Sequence, residues 1–105
     1  MFVGCFRNHT LAIAYRAQRA ASLLARADAV DEASQHLRLV IEQLDSVLND
    51  PDIAGPTFTL VLHARDDLDA HLRAAAVLHE LGAITGARRV LTDATRDLLT
   101  HSLTG

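Results

Sequence analysis

Residues 19–37 and 73–91 share one pattern at a constant offset of 54 positions, and this internal repeat constrains the fold more than any other feature. The matching pairs are Arg19/Arg73, Ala20/Ala74, Ala21/Ala75, Leu24/Leu78, Ala29/Ala83, Ala33/Ala87 and Leu37/Leu91, with Leu44/Leu98 extending the register. Repetition over tens of residues is typical of stacked supersecondary units. The chain is therefore predicted to contain two copies of one structural unit.

Each unit is predicted to be a pair of helices. The apolar residues are mostly Ala, Leu and Val, and Trp is absent, a mixture that favours helices over strands. We expect helices at residues 11–27, from Asp28 or Asp31 to Leu48, at residues 57–81, and from Thr85 to a fraying tail beyond His101. The fold class is thus all-α, with four antiparallel helices arranged as two duplicated helical hairpins in a bundle-like domain.

The predicted core follows from apolar residues that recur every three or four positions, which places them on one side of a helix. The expected inner stripes are Ala14, Ala17, Ala21 and Leu24 in the first helix; Val30, Ala33, Leu37, Val40, Leu44 and Val47 in the second; Val61, Ala64, Leu68, Leu72 and Ala75 in the third; and Ala87, Leu91, Ala94 and Leu98 in the fourth. The second helix has the most regular spacing.

Short polar residues, prolines and glycines predict where these helices begin and end. Asn8 or Thr10 is expected to cap the first helix, and Pro56 to be the first residue of the third. Gly82 is the expected left-handed terminator of the third helix. The resulting organisation is one domain with a loose arm at residues 1–7, hairpins at 8–48 and 57–103, and a linker at 49–56. Phe2 and Phe6 of the arm are candidates for docking on the bundle.

Small residues lie twelve positions apart across each expected turn, at Ala21 and Ala33 and again at Ala75 and Ala87. A leucine follows the first alanine by three positions (Leu24, Leu78) and the second by four (Leu37, Leu91). This spacing resembles the tetratricopeptide motif, and the resemblance implies protein binding through a helical surface. The offset of 54 rather than about 34 residues, the longer helices and the missing aromatic residues favour a closed four-helix arrangement.

The charge balance and the cysteine content exclude several classes of protein. Lysine is absent and the net charge is −3, whereas nucleic-acid binders carry a basic excess, so no nucleic acid is expected as a partner. The apolar runs are too short for a membrane span. A single cysteine, Cys5, cannot form an intramolecular disulfide, and the expected location is the cytoplasm.

Histidines are the only chemical resource that the sequence offers for a site. His63, Asp67 and His71 are spaced four apart, so one flank of the third helix presents two imidazoles and a carboxylate that could bind a metal ion, although a tetrahedral catalytic site needs another ligand. The alternative is a hydrated flank in which Asp67 pairs with a histidine. His36 is expected to form a surface ion pair with Glu32, and His79 to be partly buried and hydrogen-bonded.

The leading functional prediction is a protein–protein interaction or structural module that self-associates, with a homodimer as the expected assembly. It rests on apolar residues in excess of what four thin helices bury. These candidate interaction residues are Leu39, Phe58, Leu60, Leu62, Val77 and Leu81. The alternative is a small helical enzyme or metal-binding protein built on the His63, Asp67 and His71 flank. We assign no catalytic residue and no cofactor, and non-enzymatic function is favoured.

Overall fold

The described part of the chain folds into four helices. The computed structural model describes the backbone of residues 7–26, 29–53 and 55–104, and side-chain burial for residues 11–26, 29–53 and 55–100. The helices are α1 (Arg7–Leu24), α2 (Val30–Leu48), α3 (Gly55–Glu80) and α4 (Ile84–Thr104). The described residues contain no strand. The all-α prediction is therefore confirmed.

The helices close into a bundle rather than an open superhelix. α1 packs against α2 and α4, and α3 packs against the same two helices, while α2 and α4 also touch across the centre. The contact between the first and the last helix closes the ring. The bundle measures 43 × 21 × 18 Å, and its length reflects α3, whose 26 residues span about 39 Å.

Two contacts show how α2 and α3 lie relative to each other. Arg65 Nε donates to Asp45 Oδ1 over 3.0 Å, and His79 Nε2 lies 3.7 Å from Asp31 Oδ1. Contacts thus advance along α2 while they recede along α3, which is the order that antiparallel neighbours produce. The hydrogen bond to Asp45, together with the charge of that carboxylate, raises the pKa of the Arg65 guanidinium. The duplication of two hairpins stays a prediction.

The predicted inner stripes of α2 and α4 are confirmed, because every residue assigned to them is buried. In α3, four of the five predicted residues are buried and Ala64 is partly buried against the core. Three helices therefore use the face that their three-and-four spacing indicates. These faces meet in one apolar core, which includes Leu37, Leu44 and Leu91 at its most enclosed positions.

The stripe predicted for α1 is partly wrong. Ala17 and Leu24 are buried as expected, but the other core residues of this helix are Ile13, Ala20 and Leu23. Ala14 and Ala21 are only half-buried. Alanines lie on several sides of α1, so the spacing alone does not decide which of two overlapping stripes faces the core. The real stripe is rotated toward Ile13, the larger side chain, which removes more apolar area from water.

The predicted starts of α1 and α4 are too late. α1 begins at Arg7, so Asn8 and Thr10 lie inside the helix rather than at its cap. α4 begins at Ile84, so Thr85 is likewise internal, and helical backbone extends to Thr104. The arm prediction for residues 1–6, including Phe2, Cys5 and Phe6, lies outside the described residues.

The starts of α2 and α3 also differ from prediction. The position before α2 is Ala29, which makes no side-chain capping bond, and Asp31 lies in the first turn. Its carboxylate is placed where the helix dipole favours negative charge. Asp28 and Ala27 lie outside the described residues. α3 begins at Gly55, one residue before Pro56.

The C-terminal end of α1 is held by a side chain from the last helix. Arg88 of α4 donates from Nε to the carbonyl of Leu24 over 2.5 Å and from its Nη2 to the carbonyl of Ala25 over 3.1 Å. The last carbonyls of a helix lack intrahelical donors and carry partial negative charge. Arg88 thus supplies hydrogen-bond donors to the terminal carbonyls of α1 and links the first helix to the last.

Candidate functional site

The surface that α3 turns away from the bundle is apolar in its C-terminal half. Leu68, Leu72 and Ala75 of this helix are buried in the core. The helical period places Ala70, Ala74, Val77 and Leu81 on the opposite side, and we call these four residues the outer face of α3. All four are exposed, Val77 to 55% and Leu81 to 76%. A helix in a small bundle ordinarily shows polar residues on this side.

The geometry of the helix end fixes Leu81 on that face. Leu81 N–H donates to the carbonyl of Val77 over 3.1 Å, so the helical path continues through this residue. Gly82 then adopts φ 79°, and its N–H donates to His79 O over 3.0 Å, while Ala83 N–H donates to Leu78 O over 2.8 Å. These two bonds form a Schellman motif, which confirms Gly82 as the predicted left-handed terminator.

Two opposite charges border the outer face on one flank. Arg73 and Glu80 are seven residues apart, which is two helical turns, and both are exposed. The Arg73 side chain is 80% exposed and its Nη2 lies 2.8 Å from Asp69 Oδ2, one turn earlier on α3. An apolar stripe with a charged border is the pattern of a protein-binding helix face.

The six predicted interaction residues do not form one surface. Val77 and Leu81 lie together on the outer face of α3, whereas Leu39 is an exposed residue of α2 and Phe58 is exposed in the first turns of α3. Leu60 and Leu62 are half-buried, and Leu60 packs against the core. The prediction missed Ala70 and Ala74, which their spacing from Val77 and Leu81 would have identified. It also missed Leu11, Tyr15 and Ile84, whose side chains are exposed.

The residues of the predicted metal-binding flank make contacts within α3 and border a groove. His71 Nδ1 lies 2.7 Å from the backbone carbonyl of Asp67 and 3.7 Å from its carboxylate. His63 and Asp67 border a groove of about 400 Å³ between α3 and α4, which has Asp97 on its other side and an apolar floor. Within residues 11–26, 29–53 and 55–100, no three His, Cys, Asp or Glu side chains converge on a possible metal position.

The other two histidines of interest contact neighbouring helices. His36 faces Arg16 of α1, whose Nη1 donates to His36 Nδ1 over 3.2 Å, so the expected surface ion pair with Glu32 is not its principal contact. Burial lowers the pKa of His36 below 6.5, and the charges of Arg16 and Arg19 lower it further. His79 is half-buried, as predicted, and its Nε2 lies 3.7 Å from Asp31 Oδ1, a contact longer than a hydrogen bond.

Comparison with known proteins adds no family to these observations. No protein-family model, no curated protein and no solved structure matches the chain. Across the described residues, none of the helices has both the length and the apolar character required to traverse a bilayer. The function is therefore inferred from the chain's own surface.

Proposed function

We propose that this chain is a small helical interaction module that presents the outer face of α3 to another protein. The observation that carries the proposal is the exposure of Val77 and Leu81 on the side of α3 opposite the core. Full burial of a Val or Leu side chain is worth about 1.5–3 kcal/mol. A partner that covers these two residues and their alanine neighbours gains much of that free energy.

The outer face of α3 takes no part in the packing of the bundle itself. The core side of α3 already packs against α2 and α4, and the apolar core closes without Ala70, Ala74, Val77 or Leu81. The alanines leave room for another backbone to approach, while the two larger side chains supply apolar area. The alternative function, a metal-binding or catalytic flank at His63, Asp67 and His71, stays a prediction, and no contact among the described residues favours it.

Site-specific photocrosslinking in the producing cells tests the proposal. We expect p-benzoylphenylalanine at position 77 to form discrete protein adducts, because that position lies within the proposed contact. The matched control carries the same group at position 89, where Arg89 is exposed on the side of α4 away from the core. No adduct from position 77, or the same adducts from both positions, would overturn the proposal.

A further inference from the structure

We propose that the occupant of the outer face of α3 is a second copy of the same chain, docked antiparallel about a two-fold axis at Val77. This inference rests on the proposed function, since it identifies the partner of that same face. Homodimers with two-fold symmetry use one patch twice, so the patch must be complementary to itself. The outer face of α3 meets that requirement through the sizes of its apolar side chains and through the positions of its charges.

The apolar residues are arranged for large side chains to meet small ones. Ala74 lies three residues before Val77, and Leu81 lies four residues after it. In an antiparallel pair, positions at similar distances on either side of the axis face each other. Leu81 of each copy therefore lies over Ala74 of the other, and the two Val77 side chains meet at the centre. Such interdigitation of large and small residues is what close helix packing requires.

The charged border repeats the same symmetry. Arg73 lies four residues before Val77 and Glu80 three residues after it, on one flank of the helix. Because a two-fold axis brings the same flanks of two antiparallel helices together, Arg73 of each copy faces Glu80 of the other. A parallel two-fold pair would instead bring opposite flanks together, so the charged flank of one copy would not meet that of the other. The charge pattern thus favours the antiparallel arrangement, and the exposed Arg73 side chain is accessible to a second carboxylate.

The size of the face predicts a weak dimer. Ala70 and Leu81 are eleven residues apart, so the contact is about 16 Å long along each helix. Interfaces of this kind fall below the standard size and are typical of transient pairs. The assembly should therefore be measured from about 1 to about 500 µM, where weak complexes associate and dissociate.

Sedimentation velocity of charge-reversed variants tests both the partner and the register. We expect the unmodified chain to shift from monomer to dimer across the concentration range. R73E and E80R should each weaken self-association at least about tenfold, because each places like charges together twice. An equimolar mixture of R73E and E80R should recover the dimer, since every cross-copy pair is then opposite in charge. R89E, a reversal on α4, should behave like the unmodified chain.

Each result decides the inference. Loss of the dimer in both single variants and its recovery in the mixture would support the inference. A dimer of the double variant R73E/E80R would also support it. That variant needs no mixing, so it can be used if either single variant fails to fold. Circular dichroism of each variant establishes that it is folded. Dimers insensitive to both reversals would overturn the register. A chain that stays monomeric throughout would overturn self-docking, while photocrosslinking to a different protein at position 77 would still support the interaction module.

Discussion

Truncation of Leu37 to alanine tests the core most directly, because a matched leucine lies two residues away on the same helix. Leu37 is fully buried, whereas Leu39 is 37% exposed. Leu→Ala removes three carbons, worth about 2.4 kcal/mol at about 0.8 kcal/mol for each buried CH₂. At Leu37 a cavity term adds to this, so we expect a total cost of about 3–5 kcal/mol.

Leu39→Ala should cost much less. With 37% of this residue already in contact with water, the transfer term falls to about 1.5 kcal/mol. No cavity term applies, because solvent can fill the space that the smaller side chain leaves at the surface. The two variants therefore share one chemical change and differ in the enclosure of the site.

Urea denaturation followed by far-ultraviolet circular dichroism at low micromolar concentration measures both costs. For a domain of this size the slope is about 1–3 kcal/mol per molar urea, so Leu37→Ala should lower the midpoint by at least about 1 M. The midpoint of Leu39→Ala should move about half as far or less. Equal losses in the two variants would refute the assignment of Leu37 to the core and Leu39 to the surface.

Three further predictions concern a turn, a cap and a histidine. Gly82→Ala should lower the free energy of unfolding by about 1–2 kcal/mol because of its positive φ, whereas Gly86→Ala, in ordinary contact with Leu78, should be neutral or stabilising; thermal melts of both variants compare them. Arg88→Gln should cost about 1–2 kcal/mol by urea denaturation through loss of the charged bonds to α1, and an unchanged midpoint would contradict the capping role. His36 has a lowered pKa in the folded chain, so the unfolded chain binds more protons as the pH falls below about 6.5, and stability should decrease there. Urea titrations at several pH values should show a smaller decrease in His36→Gln, and an identical decrease would rule out this contribution.

The sequence predicts a helix face well where one side of the helix is distinctly apolar. In α2 the apolar positions recur without interruption from Val30 to Val47 and polar residues occupy the back, so only one orientation buries the stripe. In α1 the alanines on several sides make two orientations nearly equal in apolar area. Contacts with α2 and α4 then decide in favour of the one that buries Ile13. The spacing of apolar residues within α1 carries no information about these contacts, so it does not predict which side of the helix is buried.

The sequence predicts helix starts less well, because residues that favour the cap position also occur inside helices. Asn8, Thr10 and Thr85 are good capping residues in isolation, but each lies inside a helix. At the other end of α1, the capping group comes from Arg88, 64 residues from the carbonyl of Leu24. Local residue preferences carry no information about a donor that only the tertiary fold brings near.

The candidate site was partly visible in the sequence. The sequence indicates Val77 and Leu81 as surplus apolar residues, and the structure places both on the outer face of α3. The same criterion selects Leu60, although it packs against the core. The difference arises because the apolar content of a helix shows how much area needs covering, while the position of its neighbours determines which residues remain uncovered.

The bridge from Arg88 to the end of α1 has a consequence for synthesis of the chain. Since Leu24 is synthesised 64 residues before Arg88, the first helix lacks its terminal donor while those residues are added. During that interval its core-facing residues, Ile13 and Ala17 among them, also lack the neighbour that α4 will provide. The nascent bundle should therefore gain its final protease resistance in one late step, when the fourth helix docks beside the first.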